Sequence, residues 1–170
     1  MLIDAGCELD YYASDITRTF PVNGKFSPEQ LGIYEIVLLA QEAAIEKTVA
    51  GNHWNEPHDA AVRVITKGLK KLGLLEGSLS NLLKTEAYKT FYMHRTGHWI
   101  GMDVHDVGDY KVGDEWRILE AGMVTTVEPG IYIGNSSKVP RAFRNIGIRI
   151  EDNVVVTKKG PDVILSLIHI

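Results

Sequence analysis

Apolar positions fall at helical spacing in two stretches of the chain and at strand spacing in most of the remainder. Leu31, Tyr34, Leu38, Ile45 and Val49 recur with roughly three-to-four spacing and predict a helix running to Gly51. Its start is encoded in Ser27-Pro28-Glu29-Gln30. Ser27 can accept from the backbone three residues on, Pro28 wastes no donor in the first turn, and Gln30 can reach back to the cap. A second helix is predicted from Asn55-Glu56-Pro57 to Gly73, with Val62, Ile65, Leu69 and Leu72 as its buried stripe. A third helical piece is predicted from Ser80 to Lys89.

Residues 1–22 read as a hairpin, with Leu2-Ile3 and Ile16 to Phe20 as strands and Gly6 to Ser14 as the bend. A turn centred on Leu9-Asp10 would set Asp4 directly opposite Asp15, on one face. Two acids so placed repel unless a cation lies between them; two unrelated surface acids are the plainer alternative. Met123 to Val127 reads as a buried strand, and Glu128-Pro129-Gly130 as a type II turn that fixes the Glu128 carboxylate at the strand end. From Gly147 to Asp152, Ile148 and Ile150 share one face, Arg149 and Glu151 the other. A charged pair facing inward is costly without compensation; a half-solvated strand is the alternative. Asn153 is expected to turn the chain into Val154 to Thr157, and Lys158-Lys159-Gly160 to turn it again. Asp109 to Glu120 and residues 134–145 are expected to be loops.

With 170 residues, 45% hydrophobic and 24% charged, the chain has the composition of one folded domain with a core. A net charge of -4, with basic residues scattered among acids, argues against a nucleic-acid partner. The single cysteine, Cys7, excludes an intramolecular disulfide and a thiolate zinc site, and is expected to be a small buried hydrophobe. There is neither a basic-then-apolar leader nor an apolar run of membrane-spanning length, so no membrane partner and a cytoplasmic location are expected. The strand-like opening at Met1 and the apolar close from Val163 to Ile170 suggest a fragment.

The candidate chemistry centres on His94 to Asp106, which holds three of the six histidines in a strand or tight loop. With Asp4, Asp15, Glu128 and Glu151 it offers four carboxylates and an imidazole. That set suits manganese, cobalt, iron or zinc, and is too large for one tetrahedral zinc. Two divalent ions would balance the four carboxylates, lower the pKa of a shared water and polarise a carbonyl, which is the chemistry of amide hydrolysis. His53 and His58 are expected to be surface or capping histidines. Asp106 and Asp109 belong to a loop, and Trp99, Ile100 and Met102 to core or pocket wall.

Asp4-Ala5-Gly6, Asp15 to Pro21, His94 to Asp106, Thr126 to Gly130 and Gly147 to Asp152 together resemble the catalytic domain of Xaa-Pro aminopeptidase (aminopeptidase P), with the motifs in family order and spacing. The resemblance implies an α/β (α+β) pita-bread fold, a curved antiparallel sheet with outer helices, truncated on its N-terminal side. Residues 1–163 would be a partial catalytic metallopeptidase domain, and 164–170 an atypical, non-native tail. By motif, Asp4 would bind one metal, Asp15 and Glu151 would bridge both, and His98 would bind the second. Glu128 would ligate that second metal and act as general base. His105 would stabilise the tetrahedral intermediate, His94 would shape the proline-side pocket, and Arg149 would support the bridging acids. The implied reaction is hydrolysis of the N-terminal Xaa-Pro bond of peptides by a water activated on two divalent ions, usually manganese. Prolidase shares the fold and ligands; Arg95 and the following Thr96 to Trp99 favour the aminopeptidase. Methionine aminopeptidase fits less well around Val104-His105-Asp106 and Arg149. An inactive binding domain of the same fold predicts lost ligands, and all five are here. An exposed sheet edge and weak or absent activity are expected of the piece alone, with a homo-oligomer open to the full-length protein.

Overall fold

The computed structural model describes residues 1–136 and 138–164, so the expected tail lies outside the described residues except for Ile164. In chain order the elements are β1 (Leu2–Ala5), β2 (Glu8–Leu9), β3 (Tyr12–Ala13), β4 (Ile16–Thr19), α1 (Pro28–Lys47), α2 (Glu56–Lys71) and α3 (Leu79–Lys84). They continue with β5 (Lys111–Val112), β6 (Glu115–Trp116), β7 (Val124–Val127), β8 (Gly130–Ile133), β9 (Ile146–Arg149), β10 (Asp152–Thr157) and β11 (Gly160–Val163). Every strand pairing among the described residues is antiparallel. The main core joins α1 and α2 to residues of β7 to β10. No helix of the described residues is long and apolar enough to cross a membrane.

Helix α1 begins as its sequence dictates. The Gln30 N–H donates to Ser27 Oγ at 3.2 Å, and the Ser27 N–H to Gln30 Oε1 at 2.9 Å. It ends at Lys47, short of Gly51, and its fully buried residues are Ile33, Val37, Ala40, Gln41 and Ala44; of the expected stripe, Tyr34, Leu38 and Ile45 pack against the core while only partly buried, and Leu31 is 43% exposed. The helix is apolar on several sides, so spacing alone does not choose the inner one. Small Ala40 and Ala44 face inward, where bulkier side chains would hold the packed layers apart. In α2 the expected Val62, Ile65 and Leu69 are buried and Leu72 packs against the core. His58 is buried with them, contrary to the surface role expected of it. The third helical piece breaks after Lys84. Glu86 takes a left-handed φ of 52°, and a 3-10 turn follows over Ala87–Thr90.

The first hairpin turns one residue later than expected. Asp10 and Tyr11 both have positive φ (50° and 65°), as a type I′ turn requires, and Leu9 pairs with Tyr12. Asp4 therefore faces Thr17, not Asp15. Moving a turn by one residue moves every partner by two, so Asp15 keeps to Asp4's face as its diagonal neighbour. Gly6 is required here, because a Cβ at that position would lie 1.8 Å from the Ser14 carbonyl oxygen. Cys7, next to it, is exposed rather than buried, since the outer half of this hairpin packs against little else.

Three further expectations are corrected. Gly130 has no positive φ, so Glu128-Pro129 is not a type II turn; the chain passes from β7 directly into β8. Asn153 does not turn the chain but pairs with Thr126 inside β10. Asp109 to Glu120 contains the β5–β6 hairpin around Gly113, whose φ is 62°. The Lys158-Lys159-Gly160 turn is present, with Gly160 at φ 126°.

The β7–β10 and β8–β9 ladders share one register, with Val127 opposite Asp152 and Gly130 opposite Arg149. The residues between them are therefore matched too, and Glu128 lies across from Glu151. On its other side Glu151 bridges to Thr17, which faces Asp4. Asp4, Thr17, Glu151 and Glu128 thus form a row across four neighbouring chain segments.

Candidate metal centre

The row gathers the acids that sequence spacing left scattered. Ligand atoms of Asp4, Asp15 and Glu151 all lie within 4.8 Å of one another, as do those of His98, Glu128 and Glu151, and those of Asp15, His98 and His105. The five expected ligands fall in this cluster, and Asp15, His98 and Glu151 each belong to two of the groups. His98 arrives on the segment beside β7, where the Thr126 N–H donates to the His98 carbonyl at 3.0 Å and the Glu128 N–H to the Thr96 carbonyl at 2.8 Å.

The charges in this cluster are poorly compensated by the protein. Glu151 is 1% exposed; its Oε2 accepts from Thr17 Oγ1 at 2.6 Å, and its Oε1 is buried without a hydrogen-bond partner. Burial, reinforced by Glu128, pushes its carboxyl up to about 8. Burial likewise raises Glu128 to about 7, against the pull of Arg149. Asp15 is raised by burial and then by neighbouring Asp4.

His98 adds a lone pair. Its Nδ1 lies 2.9 Å from the Trp99 carbonyl, which can only accept, so the Nδ1 proton is fixed and Nε2 is left as the ligand atom. That Nε2 faces Asp15 Oδ2 at 3.3 Å and Glu128 Oε1 at 3.6 Å. Lone pairs from an imidazole and two carboxylates converge there, an arrangement relieved by a cation or a proton. An oxygen-rich donor set, one unpaired carboxylate oxygen and one correctly tautomerised imidazole fit divalent metal ions of the manganese-to-zinc group.

Arg149 is the main internal counter-charge. It bonds Asp4 Oδ2 through Nη2, donates from Nε to Thr17 Oγ1 at 3.0 Å, and lies 4.0 Å from both Glu128 Oε2 and Glu151 Oε2. From Nη1 it donates to the Tyr132 hydroxyl at 3.2 Å. His94 Nδ1 donates to the Arg95 carbonyl at 2.7 Å, so its Nε2 accepts from Tyr132 at 2.8 Å. Burial lowers the pKa of His94. His105 is exposed, its ring 4.1 Å from that of His98. A cleft of about 650 Å³ opens over these groups and continues to Trp54, Tyr110 and Trp116.

Several supporting residues went unnoticed in the sequence. Thr17 and Tyr132 knit Arg149 to the acids and to His94. Asn153 holds the Asp15 backbone from both sides, accepting its N–H at 3.1 Å and donating to its carbonyl at 2.8 Å. Arg18 donates to the Glu151 carbonyl and to Asp152 Oδ1, each at 2.6 Å. Thr17 was legible, since it stands two residues from Asp15 and so shares its face. Trp99 and Ile100 are buried as expected, whereas Met102 is 75% exposed on the loop beyond them.

The family model described as "Metallopeptidase family M24" matches residues 1–158. The chain belongs to metallopeptidase family M24. This M24 chain is 54% identical over 168 residues to the Xaa-Pro aminopeptidase of Haemophilus influenzae, spanning 99% of itself and 39% of that protein. It is 51% identical over 160 residues to the Xaa-Pro aminopeptidase of Escherichia coli, spanning 94% of itself and 36% of that protein. Among solved structures, Pseudomonas aeruginosa aminopeptidase PepP matches with a TM-score of 0.94 at 65% identity, over 95% of this chain and 37% of that one. Escherichia coli aminopeptidase P with the inhibitor Pro-Leu matches with a TM-score of 0.91 at 51% identity, again over 95% of this chain and 37% of that one. The M24 chain thus spans about two fifths of the length of the curated relatives it matches, and its pita-bread fold class is that of its family.

Proposed function

We propose that the complete protein hydrolyses the N-terminal Xaa-Pro bond of peptides. Two divalent ions, manganese first, would be held by Asp4, Asp15, His98, Glu128 and Glu151. The observation that carries this reading is the buried Glu151 Oε1, left without a partner among Asp15, Glu128 and the His98 lone pair. The similarity to Xaa-Pro aminopeptidases supports the choice of bond. When bound, such ions act as Lewis acids and bring the pKa of water toward neutrality.

The chain's own residues do the rest. Glu128 accepts the proton of the attacking water and returns it to the proline nitrogen as that nitrogen leaves. His105, exposed beside His98, donates to the oxyanion that develops on the scissile carbonyl. His94, oriented by Tyr132, forms the wall of the proline pocket. Arg149 holds Asp4 directly and Glu151 through Thr17, keeping the acids in place for the cations. The same reading takes residues 1–163 as part of a catalytic domain whose other strands complete a curved sheet, with 164–170 as a non-native tail. It places the protein in the cytoplasm, acting on peptides and not on nucleic acid, with a homo-oligomer as its assembled form.

The test is hydrolysis by the full-length protein at saturating manganese. Release of the first residue from Xaa-Pro-Xaa peptides is expected. Turnover of Xaa-Pro dipeptides alone would identify a prolidase, and a folded protein that binds no metal would refute the enzyme reading.

A further inference from the structure

The backbone of Glu128 is placed by fewer bonds than those of its neighbours in the metal centre. His98 gives its N–H to Thr126 Oγ1 at 3.1 Å, and its carbonyl accepts from the Thr126 N–H at 3.0 Å and from Thr125 Oγ1 at 2.9 Å. Glu151 gives its N–H to the Thr17 carbonyl at 3.1 Å and accepts from Arg18. Glu128 instead falls in the break between β7 and β8, outside both ladders, and Pro129 after it has no N–H to give. Among the described residues its backbone has one hydrogen bond, from its N–H to the Thr96 carbonyl at 2.8 Å. Where Thr96 sits therefore decides where Glu128 sits. The two segments lie flat against each other, since a Cβ on Gly97 would come within 2.1 Å of the Thr126 carbonyl oxygen.

Thr96 is in turn fixed from α2. Its Oγ1 lies 2.8 Å from His58 Nδ1 and 2.6 Å from the Tyr92 hydroxyl, and all three residues are buried. Burial raises the pKa of the Tyr92 phenol and lowers His58 to about 4, so both groups are neutral near pH 7. A threonine hydroxyl has one proton to give. Were it given to Tyr92, the buried phenol proton would have no acceptor among the described residues. The order that uses every proton runs from Tyr92 to Thr96 to His58 Nδ1, with the imidazole proton on Nε2. His58 is thus the acceptor on which the chain ends, and without it the Thr96 hydroxyl keeps a buried proton with nowhere to go.

We propose that His58, acting through Thr96, is a positioning residue for Glu128: by accepting from the Thr96 hydroxyl it fixes the carbonyl to which the Glu128 N–H is tied. Its bearing on catalysis rests on the reading of Glu128 as general base.

Two measurements on the full-length protein test this. Hydrogen exchange at the Glu128 amide, followed by NMR without metal, needs no turnover. His58→Leu keeps apolar bulk and removes the acceptor, and should speed that exchange about tenfold while leaving the amides of α1 unchanged. His58→Asn, whose Oδ1 can stand where Nδ1 stood, should restore most of the protection. With saturating manganese, His58→Leu should lower kcat on an Xaa-Pro-Xaa peptide about tenfold with KM nearly unchanged, as misplacing a reacting group does. Adding Thr96→Val to it should cost little more, because both substitutions cut one chain of bonds. Unchanged exchange at Glu128, exchange that quickens in α1 as well, or an asparagine no better than leucine overturns the positioning role. Undiminished kcat in His58→Leu does so too, and leaves the peptidase reading intact. Locally quickened exchange in a protein whose unaltered form cleaves no Xaa-Pro peptide leaves the positioning of Glu128 standing and refutes the peptidase reading.

Discussion

Stripping divalent cations from the protein should reverse the usual benefit of raising the pH. Burial raises Glu128 from 4.5 to about 7 and Glu151 from 4.5 to about 8. In the folded, metal-free state both acids hold protons more tightly than in the unfolded chain. Their contribution is therefore complete below the unfolded value and disappears as pH climbs through the folded values. At about 1.4 kcal/mol per pKa unit, Glu128 alone corresponds to about 3 kcal/mol. Glu151 is comparable or larger, and because the two titrate as a neighbouring pair their effects do not simply add. Urea unfolding of the chelator-treated protein between about pH 5 and pH 9 should show at least about 3 kcal/mol lost across the range. Glu151→Gln, which removes one titrating acid and can keep the Thr17 hydrogen bond, should flatten the loss. Saturating manganese should abolish or invert it, because cations favour the deprotonated ligands. Metal-free stability that is level or rises over this range, or a Glu151→Gln protein with an unchanged slope, would refute the argument that these acids are buried without adequate counter-charge.

Other consequences follow from the same contacts. His58 is buried, 2.8 Å from Thr96 Oγ1, and burial followed by Arg95 lowers its pKa from 6.5 to about 4. Its contribution is present above 6.5 and is lost as pH falls through 4, by about 3 kcal/mol, so His58→Gln should shrink the acid-side decline seen in urea melts. Arg149→Lys keeps a charge but cannot span Asp4, Thr17 and Tyr132 together, so manganese affinity measured by calorimetry should fall about 10- to 100-fold. Tyr11 has a φ of 65° in the hairpin turn, and Tyr11→Gly should raise stability by up to about 1 kcal/mol in thermal melts, with no change in metal binding.

The candidate ligand set came from the resemblance of five motifs to a known family, and what residue spacing itself made legible was which side chains share a face. Side chains alternate with a period of two, so Arg149 and Glu151 could be assigned a common face without knowing what lay beside them. The first hairpin shows how robust this is. The turn falls on Asp10-Tyr11 and not on Leu9-Asp10, every expected partner is displaced by two, and Asp4 and Asp15 still face the same way. Helix α2 was legible because a single apolar stripe faces inward. Helix α1 was not, because its apolar residues surround most of the helix and only packing against α2 and the strands selects Ile33, Val37 and Ala44. Nor could local sequence reveal that Glu128 lies opposite Glu151. That depends on two ladders sharing a register through a break at Glu128-Pro129, where a turn was expected and a continuous crossing is found. His58 escaped for a related reason: a histidine near a helix start looks solvated until Thr96 and Tyr92, 2.6 Å from each other, are brought against it by the segment that also delivers His98. Parity fixes which side chains can meet, and register fixes which of them do. In this chain parity puts Asp4 with Asp15 and Arg149 with Glu151, and register brings Glu128 opposite Glu151 and carries Thr17, Tyr132 and Asn153 to the groups they hold.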